Sequence, residues 1–290
     1  IENKRFYVWW EAVIGYFSAS LEWSENQNNK ESWKDFWYGD NLEHFYFMGK
    51  DNLPFHVMFW PGELHLYDDN LHLPDVPVIN QFLNFEGDKF SKSRGVVIDS
   101  KEVIEKYGLD PVRFYLTSIM PEKSDSSFGW SDFADKHNNI LIGNLGNFIN
   151  RTLTLSKEIS VDSGFIDDEV KKEIKLHSDE ARNYLESAEF RNYLDSILKL
   201  SDFGNKYLTK EEPWKKEGKE RDRVISNSLL ILLTLQTLIK PLLVDAYDKL
   251  KEITGVEVEY WTEDLLAESI SLLEKVGISD IKPLFSRIEL

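Results

Sequence analysis

The chain has 290 residues, 42% of them hydrophobic, and a formal net charge of −17 at pH 7. This hydrophobic content is enough for a sizeable core or for two domains. The absence of Cys excludes disulfides and thiolate metal sites and fits a cytoplasmic protein. The acidic balance argues against loose, sequence-independent attachment to nucleic acid, because such binding depends on neutralising phosphates.

The first third of the chain alternates between aromatic, strand-like segments and helix-like segments. We expect strands at Phe6–Trp10, His44–Met48 and Val76–Phe85 and helices at Ala12–Ser20 and Phe55–Leu66. Such alternation is typical of a parallel sheet, which binds ligands at the carboxyl ends of its strands. Gly49-Lys50-Asp51 follows one expected strand and is therefore either a nucleotide contact or a plain turn.

From about residue 131 the pattern becomes that of amphipathic helices. Helices are expected at 131–156, 166–187, 188–209, 220–240 and 263–276. The short polar loops between them predict an antiparallel bundle. The most apolar run, Leu229 to Val244, is interrupted by polar residues, which favours a buried helix over a membrane span.

The loop Lys89-Phe90-Ser91-Lys92-Ser93-Arg94-Gly95 concentrates groups that bind phosphate. Lys89 and Lys92 are three residues apart, so a tight turn can aim both ammonium groups at one anion. Ser91 and Ser93 add hydroxyl donors, and the backbone N–H groups of such a turn form an anion-binding concavity. A solvated surface turn is the alternative interpretation of the same residues.

Three motifs occur in a fixed order, namely 6–16 (FYVWWEAVIGY), 47–56 (FMGKDNLPFH) and the loop at 89–95. Together they resemble the second half of a methionyl-tRNA synthetase of the archaeal and eukaryotic type. The loop is similar to the "KMSKS" signature of class I aminoacyl-tRNA synthetases, with Phe90 in place of Met. The likeness continues through Pro121–Asp125, Asn144–Arg151 and Glu212–Trp214.

The resemblance implies an α/β part followed by an all-α part. Residues 1–98 would form the second half of a Rossmann-like, parallel-sheet catalytic domain. Residues 99–130 would be a connecting segment that contacts the tRNA stem, and residues 131–290 an antiparallel α-helical bundle that binds the anticodon.

The activity implied by the resemblance is that of a methionine–tRNA ligase. Such an enzyme uses ATP and Mg²⁺ to convert methionine into methionyl-adenylate and then charges tRNA-Met. The residues implied to act on the phosphates are Lys89, Ser91, Lys92 and Ser93. Those implied to bind ATP are Gly49, Asp51, Leu83 and Lys92.

The methionine pocket implied by the resemblance is lined by Trp9, Ala12, Tyr16, His56 and Phe59. A soft aromatic pocket suits a thioether, because sulfur packs well against ring edges. Without the resemblance, aromatic residues at helical spacing are more simply explained as core.

Trp214 stands in a polar loop, where it is either a hydrophobic anchor or a platform for a stacked base. The resemblance implies that Trp214 stacks on an anticodon base and that Asn144 reads a base edge. Bacterial members carry an Arg four residues after that Asn, and Phe148 occupies this position here. Arg151 is a candidate substitute, and Phe148 is a candidate second stacking surface.

Three absences complete the expectations. The histidines have no zinc-binding spacing, so no zinc site is expected. The resemblance implies an N-terminal His-x-Gly-His element, and none is present. We therefore expect a partner, the N-terminal half of the catalytic domain, and no methionine activation by this chain alone. The first residues lack the apolar core of a secretory signal, and no membrane partner is expected. A non-catalytic tRNA-binding module and another class Ia synthetase remain the alternatives.

Overall fold

The structure is a computed structural model that describes residues 3–5, 7–86, 98–158, 164, 166–258, 261–262 and 264–290. The chain divides into two compact units. The first unit comprises Ile1–Leu83 and Pro121–Ser126, and the second comprises Asn84–Met120 and Ser127–Leu290. The predicted phosphate loop, with Lys89, Ser91, Lys92 and Ser93, lies outside the described residues, so its roles stay predictions.

The first unit is built around one pair of strands. Its regular elements are α1 (Val8–Ala12), α2 (Gly15–Glu25), β1 (Phe45–Gly49), α3 (Trp60–Tyr67) and β2 (Val76–Asn80). Short 3₁₀ turns span Ser32–Phe36 and Lys50–Asn52, and a π-helix spans Phe55–Phe59. β1 and β2 are parallel, which confirms the predicted parallel pairing. The buried core of the unit consists of Val13, Trp37, Tyr46, Met48, Trp60, Leu64 and Leu71.

The prediction of a strand at Phe6–Trp10 is wrong, because residues 8–12 form the helix α1. In this helix the Trp9 ring stacks on Phe55, and Trp10 packs against Phe59. The aromatic residues favoured a strand by propensity, and tertiary packing overrides that weak preference. The expected strand at Val76–Phe85 is divided into β2 and a second strand, β3 (Leu83–Phe85).

β3 pairs with β4 (Ser126–Phe128) in a second two-stranded sheet. The second unit is otherwise helical. Its α-helices are α4 (Ser100–Tyr107), α5 (Leu109–Ser118), α6 (Trp130–Lys136), α7 (Asn147–Leu155), α8 (Asp168–Glu186), α9 (Phe190–Glu211), α10 (Gly218–Ile239), α11 (Val244–Thr254) and α12 (Leu265–Leu273). A π-helix at His137–Gly146 joins α6 to α7, and 3₁₀ turns span Ser156–Glu158 and Pro213–Lys215.

The helix α10 lies at the centre of the bundle. Every residue from Val224 to Ile239 is buried, and the helix packs against α7, α8, α9, α11 and α12. By length and composition α10 is apolar enough to cross a membrane, yet 89% of its most apolar window is buried inside the protein. A helix that is apolar on all sides is expected at the centre of a core. The predicted buried helix is therefore confirmed.

The helix α11 was not predicted. The helix expected at 220–240 agrees with α10, which ends at Ile239, and the chain then turns a corner before α11 begins at Val244. Pro241 has no N–H to donate to the carbonyl of Thr237, and its ring crowds that carbonyl, which explains the end of α10 although Lys240 itself is still helical. Arg113 on α5 donates to the carbonyls of Pro241 (2.8 Å) and Leu242 (2.7 Å).

Asp110 on α5 caps the start of α11. Its carboxylate accepts the backbone N–H groups of Asp245 (3.2 Å) and Ala246 (2.7 Å). These donors have no partner within their own helix, so a carboxylate from another helix satisfies them. Burial raises the pKa of Asp110, and the two backbone hydrogen bonds oppose that rise.

The C-terminal segment after α12 runs along the π-helix of the second unit. Asn138 donates to the carbonyl of Ile288 (2.9 Å) and accepts its N–H (3.0 Å). The ring nitrogen Nε2 of His137 lies 2.8 Å from the carbonyl of Ser286, and Lys249 donates to the carbonyl of Leu284. These contacts give the last residues a structural role that the sequence did not indicate.

Candidate functional sites

Tyr16 and His56 form the polar centre of an aromatic cluster in the first unit. The ring nitrogen Nδ1 of His56 lies 2.9 Å from the carbonyl oxygen of Asn52, so Nδ1 is the protonated nitrogen and donates. The other nitrogen, Nε2, is then an acceptor, and the Tyr16 hydroxyl donates to it at 2.8 Å. Burial raises the pKa of Tyr16, which keeps this donor protonated.

The surroundings of this pair are aromatic. Tyr16 meets the edge of Tyr46 with ring centroids 5.0 Å apart and packs near Trp60 at 6.3 Å. Trp60 donates its indole N–H to the Tyr46 hydroxyl at 2.9 Å. His56 is buried, whereas Tyr16 is 44% exposed, so one side of the pair is accessible.

The other residues predicted for the methionine pocket lie around Phe55. Trp9 stacks on Phe55 with centroids 5.4 Å apart, and Phe59 packs on the same ring at 5.7 Å. Ala12 is exposed at the end of α1. The structure thus brings Tyr16 and His56 into direct contact and joins Trp9 and Phe59 through Phe55.

A cavity of about 630 Å³ opens beside Tyr16. Tyr16 alone of the five predicted pocket residues lines it. The other lining residues come from α2, the following 3₁₀ turn and β1, and include Ser20, Trp23, Phe36, Trp37 and Tyr46.

The predicted nucleotide contacts follow the carboxyl end of β1. Gly49 ends this strand, and a Cβ built on it would meet no atom within 4 Å, so its backbone is open to a ligand. Asp51 is exposed in the 3₁₀ turn that follows, and Leu83 is half-buried at the start of β3. The ammonium group of Lys50 is bound by Asp125 at 2.9 Å and lies 4.2 Å from the ring centroid of Phe82.

A cleft of about 600 Å³ opens on the second unit between the end of the π-helix, α7 and α9. Its lining is polar and includes Asn144, Asn147, Arg151, Asn205, Lys206 and Lys210. The predicted residue Asn144 is half-buried here, and its amide nitrogen donates to the carbonyl of Leu198 at 2.9 Å. Its role in reading a base stays a prediction.

Trp214 lies on the 3₁₀ turn after α9 and is 51% exposed. The guanidinium of Arg151 lies over its ring, 5.7 Å from the centroid. A guanidinium at this distance is attracted to the face of an indole. Arg151 therefore connects the cleft with the exposed aromatic surface.

A network of charges holds the Trp214 turn on the bundle. Glu211 binds both Lys216 (2.7 Å) and Arg223 (3.0 Å), and Arg223 contacts both oxygens of Asp167 at 2.6 Å. The Tyr207 hydroxyl donates to Asp167 at 2.8 Å. The hydrogen bond from Lys216 is the main cause of a lowered pKa at Glu211, whereas burial and the bond to Asp167 raise the pKa of Tyr207.

The prediction that Phe148 offers a second stacking surface is wrong. Its ring is completely buried and packs directly against Gly204 on α9. Asn147 and Arg151 line the cleft instead. Their spacing of four residues places them on one face of a helix, and this spacing could have predicted that they line the same surface. Asn205 gave no such signal, because it comes from a different helix.

Within the described ranges, no group of three or more His, Asp or Glu side chains is arranged to hold a metal ion. The expected absence of zinc therefore stays an expectation. A Mg²⁺ ion that arrives with a nucleotide needs fewer protein ligands, because substrate phosphates and water complete its coordination.

Two family profiles match the chain. The profile of class I tRNA synthetases (M) covers residues 1–153, and that of the anticodon binding domain of methionyl tRNA ligase covers residues 160–289. The methionine–tRNA ligase of Corynebacterium efficiens is 34% identical over 278 residues, a match covering 88% of this chain and 45% of that protein. The corresponding ligase of Thermococcus onnurineus is 37% identical over 280 residues, covering 89% and 38%.

The chain thus spans less than half the length of these curated relatives. The solved structure of the Mycobacterium tuberculosis methionyl-tRNA synthetase in complex with methionyl-adenylate is 20% identical and has a TM-score of 0.74. This match covers 97% of the chain and 56% of the solved one, and it shows a shared fold. Because the profile of class I tRNA synthetases (M) covers more than half of the residues, the chain belongs to the methionyl-tRNA synthetase family of class I tRNA synthetases.

Proposed function

We propose that this chain is the part of a methionine–tRNA ligase that holds the amino-acid pocket, the ATP loop and the anticodon-binding bundle. The observation that carries the proposal is the cleft of the second unit, where Arg151 lies over the exposed ring of Trp214. A cationic group beside an exposed aromatic platform suits an unstacked RNA base and its phosphate. Charging of tRNA serves translation, so we place the protein in the cytoplasm.

The amino-acid pocket is proposed to form around the Tyr16–His56 pair, with Trp9, Ala12 and Phe59. A methionine side chain needs polarizable aromatic walls, and rings of this kind surround Tyr16. The Tyr16 hydroxyl donates its hydrogen bond to His56, so its oxygen keeps lone pairs for a donor on the substrate. This polar group inside an aromatic site would orient the amino acid.

The nucleotide is proposed to lie at the carboxyl end of β1. Gly49 allows close approach, and the Asp51 carboxylate suits the two hydroxyls of a ribose. Leu83 would lie near the adenine. Lys50 lies between Gly49 and Asp51, and its ion pair with Asp125 would keep this turn in one conformation.

The proposed reaction has two steps. The carboxylate of methionine attacks the α-phosphorus of ATP, the bond to the β-phosphate oxygen breaks, and pyrophosphate leaves. A terminal ribose hydroxyl of tRNA-Met then attacks the carbonyl carbon of the adenylate, and AMP leaves. Lys89 and Lys92 would stabilise the charge on the phosphates, aided by Ser91 and Ser93. When bound to ATP, Mg²⁺ neutralises part of this charge.

We further propose that the first unit is the second half of a Rossmann-like catalytic domain, of the archaeal and eukaryotic type. Sixteen of the twenty-one large hydrophobic side chains that are exposed among the described residues belong to the first unit. Apolar patches on this scale mark an interface. The proposed partner is the N-terminal half of the catalytic domain, which would carry the His-x-Gly-His element.

The proposal is tested by titrating the chain with tRNA that bears the CAU anticodon and with tRNAs that carry one changed anticodon base. Trp fluorescence reports binding, and Trp214→Phe identifies the signal of that residue among nine Trp. Discrimination of ~1–3 kcal/mol is the expected size for readout of one base. Equal affinity for all the tRNAs would contradict the methionine-specific function and leave the non-catalytic tRNA-binding module as the better explanation.

A further inference from the structure

Asn205 on α9 links the other two asparagines of the cleft, Asn144 and Asn147. Its amide nitrogen lies 3.0 Å from the carbonyl oxygen of Asn144 and 3.2 Å from the side-chain oxygen of the same residue. It also lies 3.2 Å from the carbonyl of Ser201. The side-chain oxygen of Asn205 accepts the amide N–H of Asn147 at 2.9 Å. One side chain therefore contacts both Asn144, which is predicted to read a base edge, and Asn147, which lines the same cleft.

These bonds fix the orientation of the Asn147 amide. Asn147 is exposed at the start of α7, and its amide nitrogen is the atom that donates to Asn205. Its oxygen and one N–H remain for a ligand, in one defined arrangement. An amide distinguishes bases by such a donor–acceptor pair, so a freely rotating amide would accept the inverted pattern equally well.

The approach of the two helices that makes this bond possible depends on a glycine. A Cβ at Gly204, next to Asn205, would lie 2.4 Å from the ring of Phe148, which is next to Asn147. The absence of a side chain at Gly204 thus lets α9 come close enough to α7 for the two amides to meet.

We propose that Asn205 is a positioning residue for base discrimination, which acts by fixing the amide of Asn147. The inference rests on the proposed function, since it requires that an anticodon loop enters the cleft. In this role Asn205 contacts no base itself and determines which base is accepted through the orientation of the Asn147 amide.

The test uses the full chain and anticodon stem-loop RNAs, one with CAU and others with one changed base. The measured quantity is the ratio of dissociation constants between changed and CAU loops. Asn205→Ala removes both sets of bonds, and we expect this ratio to fall about tenfold. Asn205→Asp keeps the acceptor for Asn147 and loses the donor to Asn144. It should keep the ratio, although its charge weakens the binding of every RNA.

Asn192→Ala, at another hydrogen-bonded Asn on α9, is the matched control and should leave the ratio unchanged. Asn147→Ala, at an exposed position, should lose discrimination as Asn205→Ala does. In the Asn147→Ala background, Asn205→Ala should then cause no further loss. If Asn205→Ala folds poorly, Asn147→Ala and Asn205→Asp still test the proposal, because the first should lose the discrimination and the second should keep it.

A wild-type ratio in Asn205→Ala, or additive losses in the double variant, would overturn the proposal. Equal losses in Asn205→Ala and Asn205→Asp would overturn it in favour of Asn144 as the reader. If the wild-type chain itself binds all the loops equally, the proposed function fails and the inference fails with it. That outcome is recognised without any variant.

Discussion

Replacing Gly204 by Ala tests whether the close packing of α7 on α9 contributes to the stability of the second unit. A Cβ at this position would lie 2.4, 2.6 and 2.7 Å from three atoms of the Phe148 ring. An ordinary contact begins at 3.4 Å, so the ring or the helix must move by about 1 Å. Phe148 is completely buried and has no path into solvent.

Two opposing effects set the magnitude. In an exposed helix, Gly→Ala stabilises by about 1 kcal/mol, because alanine has the higher helix propensity. Overpacking a core typically costs ~1–3 kcal/mol, and three close ring atoms point to the upper part of this range. We therefore expect Gly204→Ala to lower the free energy of unfolding by about 2 kcal/mol.

The assay is urea unfolding followed by far-UV circular dichroism, with the slope and midpoint compared between variants. Gly62→Ala, on α3, is the matched control, because a Cβ there meets no atom within 4 Å. It should stabilise the protein or leave it unchanged. Phe148→Leu removes part of the ring, so the double variant should lose less stability than the two single changes together. If Gly204→Ala is as stable as the wild type, the contact of Phe148 with Gly204 does not limit how closely α7 and α9 can pack, and the reasoning is refuted.

Three further predictions concern other parts of the chain. In the complete enzyme, Lys92→Ala should lower kcat about 100-fold or more with little change in methionine affinity; equal losses in both would contradict a transition-state role. Tyr16→Phe leaves Nε2 of His56 without its hydrogen-bond donor. In pyrophosphate exchange by the complete enzyme, this change should raise the KM for methionine about tenfold. The control is Tyr38→Phe, which removes an exposed hydroxyl bonded to Asp68 and should leave this KM unchanged. Burial raises the pKa of Asp110 in the folded protein above its usual value. The free energy of unfolding of the wild type, relative to Asp110→Asn, should therefore fall as the pH rises from the usual Asp pKa through the raised one. A difference in urea midpoints that does not change with pH would refute this.

The helical bundle was largely predictable, because its signal is periodic. The 3, 4 spacing from Phe190 onwards gave α9, and the long apolar run gave the buried α10. The predicted end at residue 240 agrees with α10, since Pro241 lacks the N–H that would continue the helix, whereas α11 was not predicted. Signals of this kind depend only on residues that are close in the sequence, so one sequence is enough to recognise them.

The first unit and the cleft were less predictable, because their geometry depends on distant residues. Trp9 and Trp10 lie on a helix because they pack against Phe55 and Phe59, about fifty residues later. The contact of Asn205 with Asn147 is set by Gly204, whose small size matters only against Phe148. No periodicity in the sequence records such pairings.

The π-helix at His137–Gly146 sets the angular phase of everything that follows it. In an α-helix each residue turns the chain by about 100°, and a π-helical segment acts as an inserted residue that delays this rotation. Deleting one residue between 138 and 145 would remove this insertion and leave α7 in its present phase relative to α6, whereas one added residue that is absorbed as a regular α-helical position would turn α7 by about 100°. In the lengthened variant Asn147 and Arg151 would leave the cleft together, and Phe148 would leave its contact with Gly204. The position of this cleft is therefore encoded in the length of the segment as well as in its side chains.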